Sequence, residues 1–274
     1  MGQHKAGPST QSPRLNQAGL FYKQYTPDSD ILMGMDPSLE RIRRLLHLYQ
    51  SGQIPTLSQH EVNPHLDTGS RENYLYFTLP PCLNFQRNSP AMWKAALATW
   101  EDAETQYLFF PERTAITPMD KVRQDLLKHR LALQPNKHVQ IWMAISTTLH
   151  QSFGDDPREV IRAADGDAGK LIHLLQVSRK KDFPYLCGPK LSNYWPYILS
   201  QYTDVSFKNM HEISIIPDTH VIQSSVHLNL VDPTANSLQV EQAWKELLRD
   251  SGISPVAMHP VLWNWSRNDF QPSV

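Results

Sequence analysis

Cysteine is nearly absent from this 274-residue chain, which has only Cys82 and Cys187. Two thiols cannot build a disulfide framework, a four-cysteine zinc site or an iron–sulfur cluster, and they fit a reducing compartment. A charge excess of one sign is also lacking. Lys and Arg number 26 against 27 Asp and Glu, a net charge of −1, whereas a nucleic-acid binder usually carries a basic excess. That balance is an average, because residues 121–190 hold 12 Lys and Arg against 7 Asp and Glu. One face can therefore be basic within a neutral total. No apolar run approaches the ~20 residues of a membrane span. Residues 1–17 are polar, with no apolar signal-peptide core. The expectation is a non-secreted protein without membrane spans, in the cytoplasm or nucleus. Residues 1–20, rich in Gln, Ser, Pro and Gly, read as a disordered tail, and 21–274 as one helical domain.

Strand signals are equally scarce. Tyr74-Leu75-Tyr76-Phe77 and residues 213–216 are short apolar runs that suit strands, but neither has regularly spaced partners. What the chain does have is proline, 21 in all, placed in one repeated way. Asp36-Pro37, Ser89-Pro90, Thr117-Pro118, Asp156-Pro157 and Ser254-Pro255 each set a capping side chain before a proline, the pattern of a helix N-cap and N1. Apolar residues at spacings of three and four follow: Leu39, Ile42, Leu45, Leu46 and Tyr49; then Met92, Ala95, Ala96, Thr99 and Trp100; then Val139, Trp142, Met143, Ile145, Ser146, Leu149 and Phe153. Gly52, Gly154 and Gly252 read as stops. The fold class is all-α, with about ten helices.

The stretch that carries chemistry lies at 179–231. Phe183-Pro184-Tyr185-Leu186-Cys187-Gly188-Pro189-Lys190 opens an apolar helical run. A polar loop follows, and Ile216-Pro217-Asp218-Thr219-His220-Val221 opens another helix. Lys190 and Asp218 thus each stand at a helix start. A lysine amine is a nucleophile only when deprotonated, which desolvation or a nearby positive potential favours. The first turn of a helix supplies such a potential. A carboxylate at the next helix start can stabilise an oxocarbenium-like state, and backbone N–H groups around 187–190 can hold a phosphate oxygen.

In order and character, Gly188-Pro189-Lys190 and Pro217-Asp218-Thr219-His220-Val221 resemble the two motifs of the helix-hairpin-helix DNA glycosylase superfamily. That group includes endonuclease III and the 8-oxoguanine glycosylases. Weaker similarity extends over about residues 72–265. It takes in Leu83-Asn84-Phe85-Gln86-Arg87-Asn88-Ser89, Phe153-Gly154-Asp155-Asp156-Pro157 and Met258-His259-Pro260-Val261-Leu262-Trp263. The chain departs from the family pattern in two places. Leu186 stands where the hairpin usually has its first glycine, and residues 202–214 lengthen the connection from Lys190 to Asp218. The cysteine count excludes the iron–sulfur branch.

The resemblance implies two helical subdomains with a cleft between them. It implies a base-excision repair glycosylase with abasic-site lyase activity on damaged bases, oxidised purines first, in duplex DNA. Lys190 would be the nucleophile and Asp218 its carboxylate partner. Leu186, Cys187, Gly188 and Pro189 would form a phosphate-holding hairpin, with His220, Lys180 and Lys181 near the DNA backbone. Gln86 and Asn88 would be a wedge, and Phe85, Trp142 and Trp195 walls of the base pocket. No organic cofactor or metal is implied, although hairpin carbonyls in this superfamily can hold a monovalent cation. A monomer is expected.

Plainer readings stand beside each role. Asp218 is also an ordinary N-cap, Asn88 a capping residue and His220 a surface or capping histidine. Trp93, Trp100, Trp142 and Trp195 suit a core, and Arg179-Lys180-Lys181 suits a solvated run. Two other functions remain open. One is a queuosine-salvage-like nucleotide N-glycosidase, and the other a non-catalytic helix-hairpin-helix DNA-binding protein.

Overall fold

The computed structural model describes residues 36–55, 62–84 and 87–274. The expected tail lies outside them. Among the described residues there are twelve α-helices: α1 (Pro37–Gln50), α2 (Arg71–Thr78), α3 (Ser89–Glu101), α4 (Pro111–Thr114), α5 (Met119–Lys128), α6 (Lys137–Ser152), α7 (Pro157–Ala163), α8 (Ala168–His173), α9 (Pro189–Tyr202), α10 (Thr219–His227), α11 (Ser237–Leu248) and α12 (Met258–Arg267). One isolated bridge, Asp167 to Lys208, stands in place of any strand among these residues. The all-α expectation holds.

Both strand candidates are corrected. Tyr74-Leu75-Tyr76-Phe77 lies in α2, which packs against α9, α7 and the 3-10 turn Pro80–Leu83. A helix covered on all sides has no polar face, so its short apolar run cannot be told from a buried strand. Residues 213–216 are buried and extended but unpaired.

The caps hold in part. Asp36 and Asp156 accept the backbone N–H groups of Ser38 and Arg158 at 2.8 and 2.9 Å. At α3 the cap is Asn88, one residue early, its Oδ1 taking the Ala91 N–H at 2.9 Å, so that Pro90 falls at N2. At α5 the cap position is Pro118 itself, and the Thr117 hydroxyl donates to the Arg113 carbonyl instead. Ser254 precedes a 3-10 turn and donates its hydroxyl to the Met210 carbonyl. The stops at Gly52, Gly154 and Gly252 all have positive φ, which a side chain would strain.

Buried side chains fall into two groups. One runs from Tyr74 to Ile213, with Val256, and holds Trp93, Trp142 and Trp195. In it Tyr76 stacks between Trp93 and Phe109, with centroids 5.7 and 5.6 Å away. Each such ring removes enough apolar surface to stabilise the fold by about 4–6 kcal/mol before ordering costs. The other group is built by α1, α10, α11 and α12, which pack on one another and bury Trp244 and Trp265.

Residues 203–218 cross from the first group to the second. The crossing is tied down on the way. The Lys208 N–H donates to the Gly166 carbonyl at 2.8 Å, Asn209 Nδ2 to Asp167 Oδ2 at 2.6 Å, and the Tyr74 hydroxyl to Asp204 Oδ1 at 2.6 Å. Lys190 therefore belongs to one group and Asp218 to the other.

Candidate active site

Helix α8 runs on through a π-helical turn, Leu174–Ser178, into the hairpin that opens α9. Phe183 and Leu186 are fully buried and anchor the hairpin to the core. Its backbone is closed internally. Leu186 N–H donates to the Pro184 carbonyl, Cys187 N–H to Phe183 and Gly188 N–H to Tyr185, at 2.8 to 2.9 Å.

This changes the expected phosphate cradle. The N–H groups at 186–188 are already used, Pro189 has none, and the Leu186 side chain is in the core rather than at a DNA surface. The backbone donors left at the mouth of α9 are those of Lys190 and Leu191, at its second and third positions. The left-handed residue is Tyr185, at φ 66°, not Leu186. Gly188 is extended, and a Cβ there would be tight, 3.1 Å from the Tyr185 carbonyl oxygen, which would have to give by a few tenths of an ångström.

The same closure bears on the cation that the resemblance implies. The carbonyls of residues 183–185 accept hairpin N–H groups, that of Gly188 accepts from Ser192 N–H and that of Pro189 from Asn193 Nδ2. The Leu186 and Cys187 carbonyls take no such bond, and the others keep a second lone pair each.

Lys190 is exposed at the start of α9, so the helix end rather than burial supplies its positive surroundings. Asp218 is the N-cap of α10, and its Oδ1 accepts the Val221 N–H at 2.9 Å. The capping and functional readings are compatible, because the second oxygen remains. Asp218 Oδ2 lies 3.9 Å from His259 Nε2, on the first turn of α12. Burial pushes the His259 imidazole below the usual histidine range. The Lys190 charge lowers it further, and Asp218 opposes. Asp218 and His259 thus form a close pair, and the Lys190 charge is felt at the ring.

Asn193 joins the two sides. It lies one turn along α9 from Lys190, donates Nδ2 to the Pro189 carbonyl at 2.7 Å and accepts the Ser214 N–H on Oδ1 at 2.9 Å. Reading the sequence missed Asn193, and met His259 only in a segment of weaker family similarity. The position of Asn193 on the Lys190 face of α9 is legible, but its partner 21 residues away is not.

The remaining candidates are dispersed. Arg179 pairs with Asp182 through Nε at 2.6 Å and lies over the Phe153 ring, while Lys180 and Lys181 are exposed. Cys187 is half-buried and Pro189 exposed. His220 Nδ1 is 3.1 Å from the Ser266 hydroxyl, with its ring edge-on to Trp263. Asn88 is exposed and spends its Oδ1 on the α3 cap. Phe85 and Gln86 lie outside the described residues.

Trp142 and Trp195 are corrected as base-pocket walls. Both are fully buried, with Nε1 donating to the Leu108 carbonyl at 2.9 Å and the Thr78 hydroxyl at 3.0 Å. They are core residues because a large ring on a helix face with an internal acceptor gains most from full burial.

No family model and no curated protein matches this sequence. Solved structures do resemble it, among them two complexes with DNA. One is a trapped endonuclease III–DNA covalent intermediate, an estranged-adenine complex, with a TM-score of 0.52 and 16% identity over 84% of this chain and 86% of the other. The second is a non-covalent endonuclease III–DNA complex, with a TM-score of 0.50 and 15% identity over the same shares. At such identities the likeness is one of architecture, and the chain has the endonuclease III fold.

Proposed function

We propose that this protein is a base-excision repair DNA N-glycosylase that also cleaves abasic sites by β-elimination. The observation that carries the reading is the placement of Lys190 at the start of α9 and of Asp218 at the start of α10, with one Asp218 oxygen left over from the cap and 3.9 Å from His259. Helix starts supply positive potential at both places, and the Asp218 oxygen not used for capping is left to face a developing cation.

In this reading the free amine of Lys190 attacks C1′ of a nucleotide whose base has left the stack, and the C1′–N bond breaks with its electron pair going to the base. Asp218 stabilises the positive charge on the sugar. Ring opening gives a Schiff base to Lys190. Loss of the C2′ proton then expels the 3′ phosphate. Lys180, Lys181 and the N–H groups of Lys190 and Leu191 hold the DNA backbone. DNA is the partner, oxidised purines in duplex the substrate class, and a monomer in the compartment that holds DNA the acting form. No organic cofactor takes part.

Exposed lysines beside the hairpin favour a polyanion over a free nucleotide. The test is a duplex with one abasic site. Strand cleavage by the wild type, lost in Asp218→Asn while duplex binding persists, supports the reading. Binding with no cleavage by the wild type leaves the non-catalytic DNA-binding reading in its place, and base release from a mononucleotide leaves the salvage one.

A further inference from the structure

We infer that His259 is a positioning residue that decides whether Asp218 Oδ2 is free or ion-paired, and through it the acid side of the reaction's pH dependence. The inference rests on the glycosylase-lyase reading of Lys190 and Asp218.

Asp218 Oδ1 is fixed by the Val221 N–H, so the oxygen left for chemistry is Oδ2, with His259 Nε2 at 3.9 Å. That gap is too long for a hydrogen bond and short enough for an ion pair once the ring is charged. The His259 side chain is 17% exposed, and its ring lies edge-on to Tyr197 of α9 at 6.1 Å. Its Nδ1 is buried without a hydrogen bond of ordinary geometry.

The charged groups facing the ring come from three elements. Burial acts first and favours the neutral ring. Asp218 at the start of α10 and the backbone of Ile216 favour the charged form. Lys190 of α9 and His220 of α10 oppose it, as does the ring's own place on the first turn of α12. The neutral imidazole is therefore favoured, and Asp218 Oδ2 faces the sugar without an ion-pair partner. When the medium acidifies, a proton from solvent binds the ring, the imidazolium pairs with Asp218 Oδ2, and the carboxylate no longer serves the sugar cation.

The experiment follows the rate of borohydride-trapped adduct on abasic-site duplex from pH 5 to 8. Each proton that must be lost before reaction contributes about a tenfold fall per pH unit on the acid side. In the wild type the fall steepens from about tenfold to about a hundredfold per unit, with the break below the 6.5 of an ordinary histidine. His259→Gln, which cannot charge, loses the break and falls less steeply. His259→Arg, permanently charged, traps at least about tenfold less than the wild type at pH 8 while still binding duplex.

A His259→Gln profile that superimposes on the wild type overturns the inference. So does a His259→Arg protein that binds duplex and traps adduct at pH 8 as fast as the wild type. No adduct from the wild type at any pH overturns the glycosylase-lyase reading, and this inference with it.

Discussion

Asn193 accepts the Ser214 N–H on its Oδ1 at 2.9 Å, and so couples the first turn of α9 to the segment that delivers Asp218. The same side chain donates to the Pro189 carbonyl, one residue before Lys190. A single buried amide thus ties the start of α9 to the segment that leads into α10.

Asn193→Ala leaves the Ser214 N–H without its partner in a buried place, which costs about 1–3 kcal/mol. The expected outcome is a lower denaturation midpoint, with abasic-site cleavage falling more than the loss of folded protein accounts for. Asn193→Asp, which keeps the acceptor, recovers part of both. Equal activity per folded molecule in Asn193→Ala would remove the coupling from the account.

Asp218 has two functions that substitution separates. Asp218→Asn keeps an oxygen for the Val221 N–H and leaves α10 capped, whereas Asp218→Ala removes the cap at a cost of about 1 kcal/mol. Both variants lose cleavage, and only the second loses measurable stability in urea. A stable Asp218→Asn protein that still cleaves at the wild-type rate would reduce Asp218 to a cap.

His138 and His259 both make the fold sensitive to acid. His138 Nδ1 accepts the Leu133 N–H at 3.1 Å and is therefore unprotonated there. Burial, with the Arg87 and Lys137 charges, holds His138 below 6.5, and burial first does the same for His259. Because the folded values lie below the unfolded one, the unfolded chain takes up more protons between them. The stabilisation is complete above pH 6.5 and is lost as pH falls toward the folded values. Thermal melts should move down as pH drops from 7 to 5, less so in His259→Gln. A midpoint that holds or rises over that range contradicts the assignment.

Lys180 and Lys181 have no ion-pair partner among the described residues, whereas Arg179 is paired with Asp182. Replacing either lysine with Ala should weaken binding to any duplex sequence alike. It should also reduce the slope of log affinity against log salt by about 0.9. An unchanged slope places these lysines away from the DNA backbone.

Trp195→Phe tests the corrected base pocket. It removes the bond to the Thr78 hydroxyl and part of a buried ring, for about 2 kcal/mol. A core residue affects stability alone, so the preference among lesion-containing duplexes should not change. An altered preference at unaltered stability would return Trp195 to the pocket.

How much of this was legible in the sequence depends on the range of the interaction. Local signals worked: the Asp36 and Asp156 caps, the glycine stops, and the helix starts at Lys190 and Asp218 are set by neighbours within a few residues. Signals that need the third dimension did not. The helix α2 reads as a strand because burial on every side erases its period. Trp142 and Trp195 look equally suited to a pocket or a core, since only the acceptors at Leu108 and Thr78 decide. Tyr185 carries the strained backbone because the hairpin closes one residue earlier than the glycine pattern implies. Asn193 carries no motif and His259 only a weak similarity, and each matters through a partner more than 20 residues away.

The most direct test of the central claim is covalent. The protein is incubated with an abasic-site duplex and borohydride, and the adduct is digested and mapped by mass spectrometry. The account predicts a reduced Schiff-base adduct on the peptide containing Lys190, absent in Lys190→Gln. An equal adduct in Lys190→Gln, or none in the wild type, contradicts it.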